Sequence, residues 1–485
     1  MNCIFWSQMA NRPSINRPIA SYLLSRWLEQ HGYTCQVIEF VHLFSGEELA
    51  EYTSYFISDD TLYIGVSTTM WSQHNEAMRR RSASSELPDN VSDAMDILRI
   101  KYPNVKFVVG GPATRTHSDT LHKFDFIIDD QYAEDTTLKL TDKLAGVFKL
   151  RQPFNFDTFK FNWKKHDVLF PEESVPIEMS RGCIFACSFC RDPLTGKKPG
   201  TYQREYDLLR EEFIYNHEQF GIRRYTFICE TFNDDPDRVF MMERLAQSLP
   251  FELEWISWFR LDLLAKNPET IPAIANSGCR GAIFGIETFH HKAAKAIKKT
   301  WIADNGKVWI KKIVDAWKDR VRVHPLFIAG LPYEPEDSIR KTMEWVATES
   351  GVYAWSLYPL CIGKASGVSL FEDRPDLYGL KFKEYNSDRT PKLKTNNDWW
   401  SHDIMDYDDA LRIAGELNRH YFHLNKPTVF GLPASWTIGK TSEEYENLRK
   451  NRLDPNYVDN WWQLEERFFN NYKIKLLTQR NKHEI

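Results

Sequence analysis

The chain has 485 residues (57.1 kDa), 42% of them hydrophobic and 27% charged. That is ordinary for a globular protein and leaves room for two or three domains at roughly 100–200 residues each. Lys and Arg number 62 against 67 Asp and Glu, a net charge of −5, which argues against a general nucleic-acid or anionic-membrane surface. No apolar run approaches the roughly 18 residues of a membrane span. The start, "MNCIFWSQMANRP", lacks a basic n-region and a small-residue cleavage site, so a cytoplasmic chain with reduced thiols is expected.

Residues 1–145 alternate strand-like and helix-like runs. "NCIFWSQ" leads into the helical pattern "IASYLLSRWLEQHGY", which Gly32 ends, followed by "CQVIEF", an acidic helix-leaning stretch and "TLYIGVSTTMW". "NVSDAMDILRIKYP" is amphipathic with Asn90 as candidate cap, and "VKFVVGGP", "FDFIID" and the helix "EDTTLKLTDKLAGVF" follow. Continuous apolar strands between helices predict an α/β, doubly wound parallel sheet. Such a sheet binds ligands beyond the carboxyl ends of its strands. Those ends are "SQMANRP", "STTMW" and "GGPATR", which makes Ser7, Gln8, Met9, Ser67, Thr68, Thr69, Gly110, Gly111 and Pro112 the candidates for ligand contact. No GxGxxG occurs there, so a dinucleotide is not expected.

Residues 146–175, with "RQPFNFDTFKFNW", read as an aromatic linker. From 176 a second alternation begins, with strands "VPIEMSRGC", "RRYTFICE", "LEWISWFR", "GAIFGIE", "VRVHPLFIAG" and "YAWSLYPLCIG" separated by helical segments. Six strand–helix repeats over 176–370 predict a partial (β/α)6 barrel of the TIM type. Residues 371–485 form a mostly helical C-terminal substrate or cap region, with helices near 407–423 and 441–451. Its Trp399, Trp400, Trp461 and Trp462 either line a pocket or pack a core.

Eight cysteines are too few and too scattered for a disulfide framework. Cys3, Cys35, Cys229, Cys279 and Cys361 sit singly in apolar contexts and read as buried core residues. Cys183, Cys187 and Cys190 differ, because "RGCIFACSFC" places them as CxxxCxxC. A structural zinc site needs a fourth ligand, and the chain offers only His166 or Cys229 in isolation, without a second CxxC or HxxxH. The spacing suits a 4Fe–4S cubane on a tight loop, with three thiolates leaving one iron open to a small molecule. In a β/α barrel functional groups gather at the carboxyl ends of strands. There the sequence places Cys183 after the first strand, Glu230 and Thr231 after the second, Arg260 after the third and Glu287 after the fourth. Ile328 and Gly330 ("IAGLP") follow the fifth, and Leu360 lies near the end of the sixth.

This motif, with Phe189 just before the third cysteine, resembles that of the radical S-adenosylmethionine (SAM) superfamily. The resemblance implies that Cys183, Cys187 and Cys190 ligate a 4Fe–4S cluster whose open iron chelates SAM. One-electron cleavage then gives a 5′-deoxyadenosyl radical that abstracts hydrogen from an unactivated carbon. It further implies that Glu230 or Thr231 meets the SAM amino group and Glu287 the ribose, with Ile328 and Gly330 against adenine. Phe189 and Leu360 join the same SAM-binding set. Arg260 either pairs with the SAM carboxylate or forms an interior salt bridge. An electron donor such as flavodoxin or ferredoxin is implied as a partner.

The first domain, placed ahead of that module, resembles the cobalamin-binding domain of the B12-dependent branch, and the likeness covers about residues 1–370. It implies cobalamin at the strand ends just named, with no histidine ligand because DxHxxG is missing. The glycine-rich turn of that branch reads "DDQYAEDT" at 129–136, with Tyr132 in it, which alters the expected corrinoid pocket. The function implied is a cobalamin-dependent radical SAM methyltransferase acting on a small molecule or peptide. The alternatives are a radical SAM enzyme that rearranges, cyclises or oxidises its substrate, and a non-enzymatic zinc-stabilised binding module.

Overall fold

Apolar runs too continuous for a one-sided sheet must be covered on both faces, and helices between them supply the cover. The structure is a computed structural model. It describes residues 1–7, 17–68, 87–111, 114, 121–130, 132–192, 194–362, 369–382, 400–424, 429, 431–451 and 457–480. Two compact units result: 1–171 with 458–485, and 172–457.

In the first unit, β1 (Asn2–Trp6), β2 (Thr34–Ile38), β3 (Thr61–Ser67), β4 (Lys106–Gly110) and β5 (Phe126–Ile128) pair in parallel in the order β2-β1-β3-β4-β5. Trp6 lies opposite both Ile38 and Val66, so Ser7 comes level with Ser67 at the carboxyl edge and Thr68 follows. Cys3, Ile4, Phe5 and Trp6 are all buried, each large side chain contributing about 1.5–3 kcal/mol. The helix Ile19–Gln30 ends as the sequence signals, with Gly32 turning the chain out at φ 91°. Asn90 does not cap its helix. The helix Asp89–Lys101 starts one residue earlier, after Pro88, and the Asn90 amide donates to the carbonyls of Val41 (2.9 Å) and Phe44 (3.0 Å). Those two loop carbonyls, of which Val41 O also accepts from Phe44 N–H at 3.3 Å, engage the amide in place of the helix end.

The helix Tyr457–Arg480 groups with this first unit. Its buried Phe468, Phe469, Tyr472 and Leu476 form one helical stripe. Phe469 and Tyr472 meet Phe40 edge-on at 5.4 and 5.0 Å between ring centroids. Beneath them Arg17 and Glu39, both fully buried, form an ion pair. The Tyr22 hydroxyl donates to the same carboxylate at 2.6 Å.

In the second unit, β6 (Ser174–Glu178), β7 (Arg224–Ile228), β8 (Glu254–Phe259), β9 (Cys279–Glu287), β10 (Arg322–Ala329) and β11 (Ser356–Pro359) run parallel in unbroken sequential order. This is the partial barrel-like sheet the alternation predicts. Its interior is aromatic: Phe227 stacks on Trp255 at 4.4 Å, and Trp255 on Phe259 at 6.0 Å. The indole N–H of Trp255 donates to the Ser277 carbonyl at 2.8 Å, so a buried donor is satisfied. Helices Tyr407–His420, Gly431–Thr437 and Ser442–Lys450 complete the unit. Cys3, Cys35, Cys229 and Cys279 are buried as expected, whereas Cys361 is exposed, because β11 has ended two residues before it. Among the described residues no helix is long and apolar enough to cross a membrane.

Candidate active site

The cysteine loop leaves β6 through Gly182, at φ 71°, and a Cβ there would run into Leu194, 2.6 Å from its carbonyl oxygen. Only glycine fits. The loop is then latched by its own backbone. Cys183 N–H donates to Leu194 O (3.2 Å), while Gly196 and Lys197 N–H donate to Cys183 O (2.8 and 3.2 Å). Cys190 N–H closes a turn onto Cys187 O at 3.0 Å. The Ser188 hydroxyl donates to the Ala296 carbonyl at 2.7 Å, pinning the loop to the barrel. Cys183 is buried, and Cys187 and Cys190 are half-buried. Burial pushes the Cys190 thiol up to about 11, and the neighbouring Cys187 and Cys183 add to that rise. The three thiols thus share one locale. Among the described residues, no three or more His, Cys, Asp or Glu side chains converge on a point that would suit a single metal ion.

Two side chains that the resemblance assigns to SAM rest on these sulfurs. Thr231 Oγ1 lies 3.2 Å from Cys183 Sγ, and its hydroxyl donates to the Glu230 carbonyl at 2.8 Å. Arg260 donates through Nη1 to Cys187 Sγ at 3.4 Å. Its Nε and Nη2 are engaged by the two oxygens of Asp262 at 2.9 and 2.6 Å. The two-pronged face of the guanidinium is therefore spent on an interior salt bridge. Glu230 is accessible at the mouth yet crowded enough that its carboxyl rises to about 7, desolvation first and the Asp192 charge second.

Further round the strand ends, Glu287 sits at φ 67° after a bulge in which Leu326 pairs with Gly285 and Phe327 with Glu287. Lys299, buried, donates to Glu287 Oε1 (3.0 Å) and Gly285 O (2.7 Å). It stands 5.9 Å over the Phe189 ring. Gly285 makes room for this pair, since a Cβ there would lie 2.6 Å from Glu287 Oε1. Ile328 is half-buried on β10. Gly330, at φ 93°, is required by protein packing: a Cβ would fall 2.7 Å from the Trp400 ring and 2.9 Å from Ala410. Leu360 is buried and stitched in, its N–H donating to Ala329 O (2.8 Å) and its carbonyl accepting from Trp400 Nε1 (2.8 Å). Trp400 is fully buried and belongs to the core.

Cys229 is wholly buried, its thiol raised by burial, with Arg238 and Ser180 as neighbours. His166 lies in the other unit, half-buried against Glu29 and Asp167. Sequence reasoning missed Asp262 and Lys299, and it also missed Lys197. The Lys197 ammonium is tucked beneath the loop, donating to the carbonyls of Arg181 (2.7 Å) and Thr201 (3.1 Å). Burial, then Arg238, lowers it to about 8. Only the Asp262 partnership had a local sign, an acid two residues after Arg260.

In the first unit the order β2-β1-β3-β4-β5 puts the topological switch between β1 and β3, where a crevice opens at the carboxyl edge. Ser7 stands there with a buried hydroxyl that has no partner among the described residues. Its amide donates to Ile38 O at 3.0 Å. Thr68 is buried, its N–H donating to Gly110 O at 2.8 Å, with Ser67 half-buried beside it and Gly111 at φ 111°. An orphaned buried hydroxyl and a glycine turn at a switch point fit a ligand held largely by backbone. Gln8, Met9, Thr69 and Pro112 lie outside the described residues, as do Trp399 and the side chains of Trp461 and Trp462.

Residues 177–346 match the Radical SAM superfamily model. Over 174 residues the chain is 25% identical to bacteriochlorophyllide d C-12(1)-methyltransferase of Chlorobaculum tepidum, covering 36% of this chain and 37% of that protein. Over 185 residues it is 23% identical to the C-8(2)-methyltransferase of the same organism, covering 36% and 39%. The matched region thus spans well under half of either relative. Among solved structures, the radical SAM methyltransferase TsrM of Kitasatospora setae, with cobalamin and a 4Fe–4S cluster bound, aligns with a TM-score of 0.62 at 14% identity. That alignment covers 93% of this chain and 99% of TsrM. The cobalamin-dependent SAM radical enzyme OxsB, with aqua-cobalamin bound, aligns at 0.57 and 12% identity, covering 98% and 81%. Residues 177–346 are thus similar to the radical SAM superfamily, and the chain has a fold like that of these two structures.

Proposed function

We propose that the protein is a cobalamin-dependent radical SAM methyltransferase. The observation that carries this reading is the latched loop at the mouth of the six-stranded sheet. It carries three thiols at CxxxCxxC spacing, in a chain whose other unit is a doubly wound parallel sheet. Cys183, Cys187 and Cys190 would hold a 4Fe–4S cluster, and Ser7, Ser67, Thr68, Gly110 and Gly111 would line the corrinoid edge. The cluster supplies one-electron cleavage of SAM and so access to an unactivated carbon, and the corrinoid supplies a methyl group.

The chain's own residues orient and shield. Glu230, accessible and loosely ionised, accepts hydrogen bonds from an ammonium group, and an arriving cation draws its carboxyl back to the charged form. The Lys299–Glu287 pair holds the strained end of β9 so that the remaining carboxylate oxygen can face sugar hydroxyls. The aromatic interior behind them keeps water from the reacting atoms. A low-potential donor such as flavodoxin or ferredoxin in a reducing, cytoplasmic setting suits these thiols. Relatives named for methylation of bacteriochlorophyllide, and the fold likeness to the methyltransferase TsrM, support methyl transfer.

Anaerobic purification with reconstitution tests this reading. The protein should carry corrinoid, iron and sulfide, and turnover should yield S-adenosylhomocysteine together with 5′-deoxyadenosine. The deoxyadenosine product alone selects the rearranging or oxidising alternative. Zinc without iron or sulfide overturns the proposal.

A further inference from the structure

Arg260 is buried, and both its guanidinium and its backbone are held by neighbours. Asp262 takes Nε and Nη2 with two parallel hydrogen bonds of 2.9 and 2.6 Å. Phe185, from the cysteine loop itself, lies under the guanidinium carbon at 3.6 Å from its ring centroid. The Asn233 amide brackets the residue's backbone, accepting from Arg260 N–H and donating to Arg260 O, both at 2.9 Å. What remains free to act is Nη1, aimed at Cys187 Sγ at 3.4 Å. A side chain braced on three sides and presenting one donor to a sulfur is placed there for the sulfur.

We infer that Arg260 is a positioning residue that hydrogen-bonds the Cys187 thiolate and raises the reduction potential of the cluster it helps to hold. The inference rests on the cluster reading above. Its physics is simple. Reducing the cluster by one electron adds negative charge spread over the ligand sulfurs, and a fixed cation donating to one of them stabilises the reduced form. Burial keeps water from screening the interaction. Cys183 has the neutral Thr231 hydroxyl at 3.2 Å, whereas Cys187 receives a hydrogen bond directly from a guanidinium, so these two ligands are unequal.

The test is an anaerobic redox titration followed by electron paramagnetic resonance on reconstituted wild type, Arg260→Met and Arg260→Lys. Arg260→Met should retain the cluster with its reduction equilibrium shifted at least tenfold toward the oxidised form, about 59 mV for one electron. Arg260→Lys should shift in the same direction by less, since lysine keeps the charge but cannot lie on Phe185 and grip Asp262 with two bonds. If Arg260→Met fails to load iron, the lysine variant decides. An unchanged midpoint in a loaded variant overturns the inference while leaving the cluster reading intact. Wild type that takes up no iron and sulfide overturns the cluster reading instead.

Discussion

The two parallel sheets use their carboxyl edges differently. In β2-β1-β3-β4-β5 the strand order reverses once, so a crevice opens at one place and only the residues after β1 and β3 flank it. In β6 through β11 the order never reverses, so the sheet curls and all six strand ends face a common mouth. The first edge offers hydroxyls, glycines and backbone. The second offers thiols, an arginine, two glutamates and a lysine, each braced by a second residue. A reversal gives a slot for a large ligand held by shape, whereas an unbroken order gives a ring of side chains that can act on a small one.

Three substitutions break or sharpen that contrast, beginning with the largest effect. Gly182→Ala forces a Cβ into Leu194 at a positive φ and should abolish iron and sulfide uptake while corrinoid content stays near wild type. Loss of both, measured on the same preparation, would show that the two edges are not independent. Next, Arg17→Leu strands the buried Glu39 carboxylate, at a cost of about 3–5 kcal/mol. Hydrogen exchange mapped by mass spectrometry should quicken in the first unit, with protection in β6–β11 unchanged.

The smallest effect concerns Glu334, buried at the end of the β10 turn, where it accepts from the hydroxyls of Thr288 (2.7 Å) and Ser338 (3.2 Å). Burial raises its carboxyl to about 7, against about 4.3 in the unfolded chain. The folded protein therefore keeps a proton that the unfolded chain gives up. Its stabilising contribution is complete below about pH 4.3 and is lost as pH climbs through about 7. Glu334→Gln should gain on wild type between pH 5 and pH 8 by about 1–3 kcal/mol, read from urea midpoints. A gap that narrows with rising pH would contradict this.

The strands were legible because apolar runs such as "FVV" and "AIF" admit little else, and the three cysteines because their spacing is so rarely anything but a ligand set. Partners were not. Lys299 sits among Lys295 and Lys298 with nothing local to mark it, and it becomes special only because β9 bulges beneath it. Gly330 reads as a ligand contact from its place after a strand, yet Trp400, 70 residues downstream, sits where a side chain there would go, and the same indole donates to the Leu360 carbonyl. The helix Tyr457–Arg480 was overlooked because its start is masked by paired tryptophans, although the stripe Phe468, Phe469, Tyr472, Leu476 carries the helical interval.

The latch on the cysteine loop has one more consequence. Cys183 and Cys190 amides, with those of Gly196 and Lys197, are all satisfied by neighbouring carbonyls, so the course of the loop is held by its own backbone. Many small metal domains collapse when stripped. A loop fixed by four backbone hydrogen bonds of its own depends less for its shape on whatever its thiols hold.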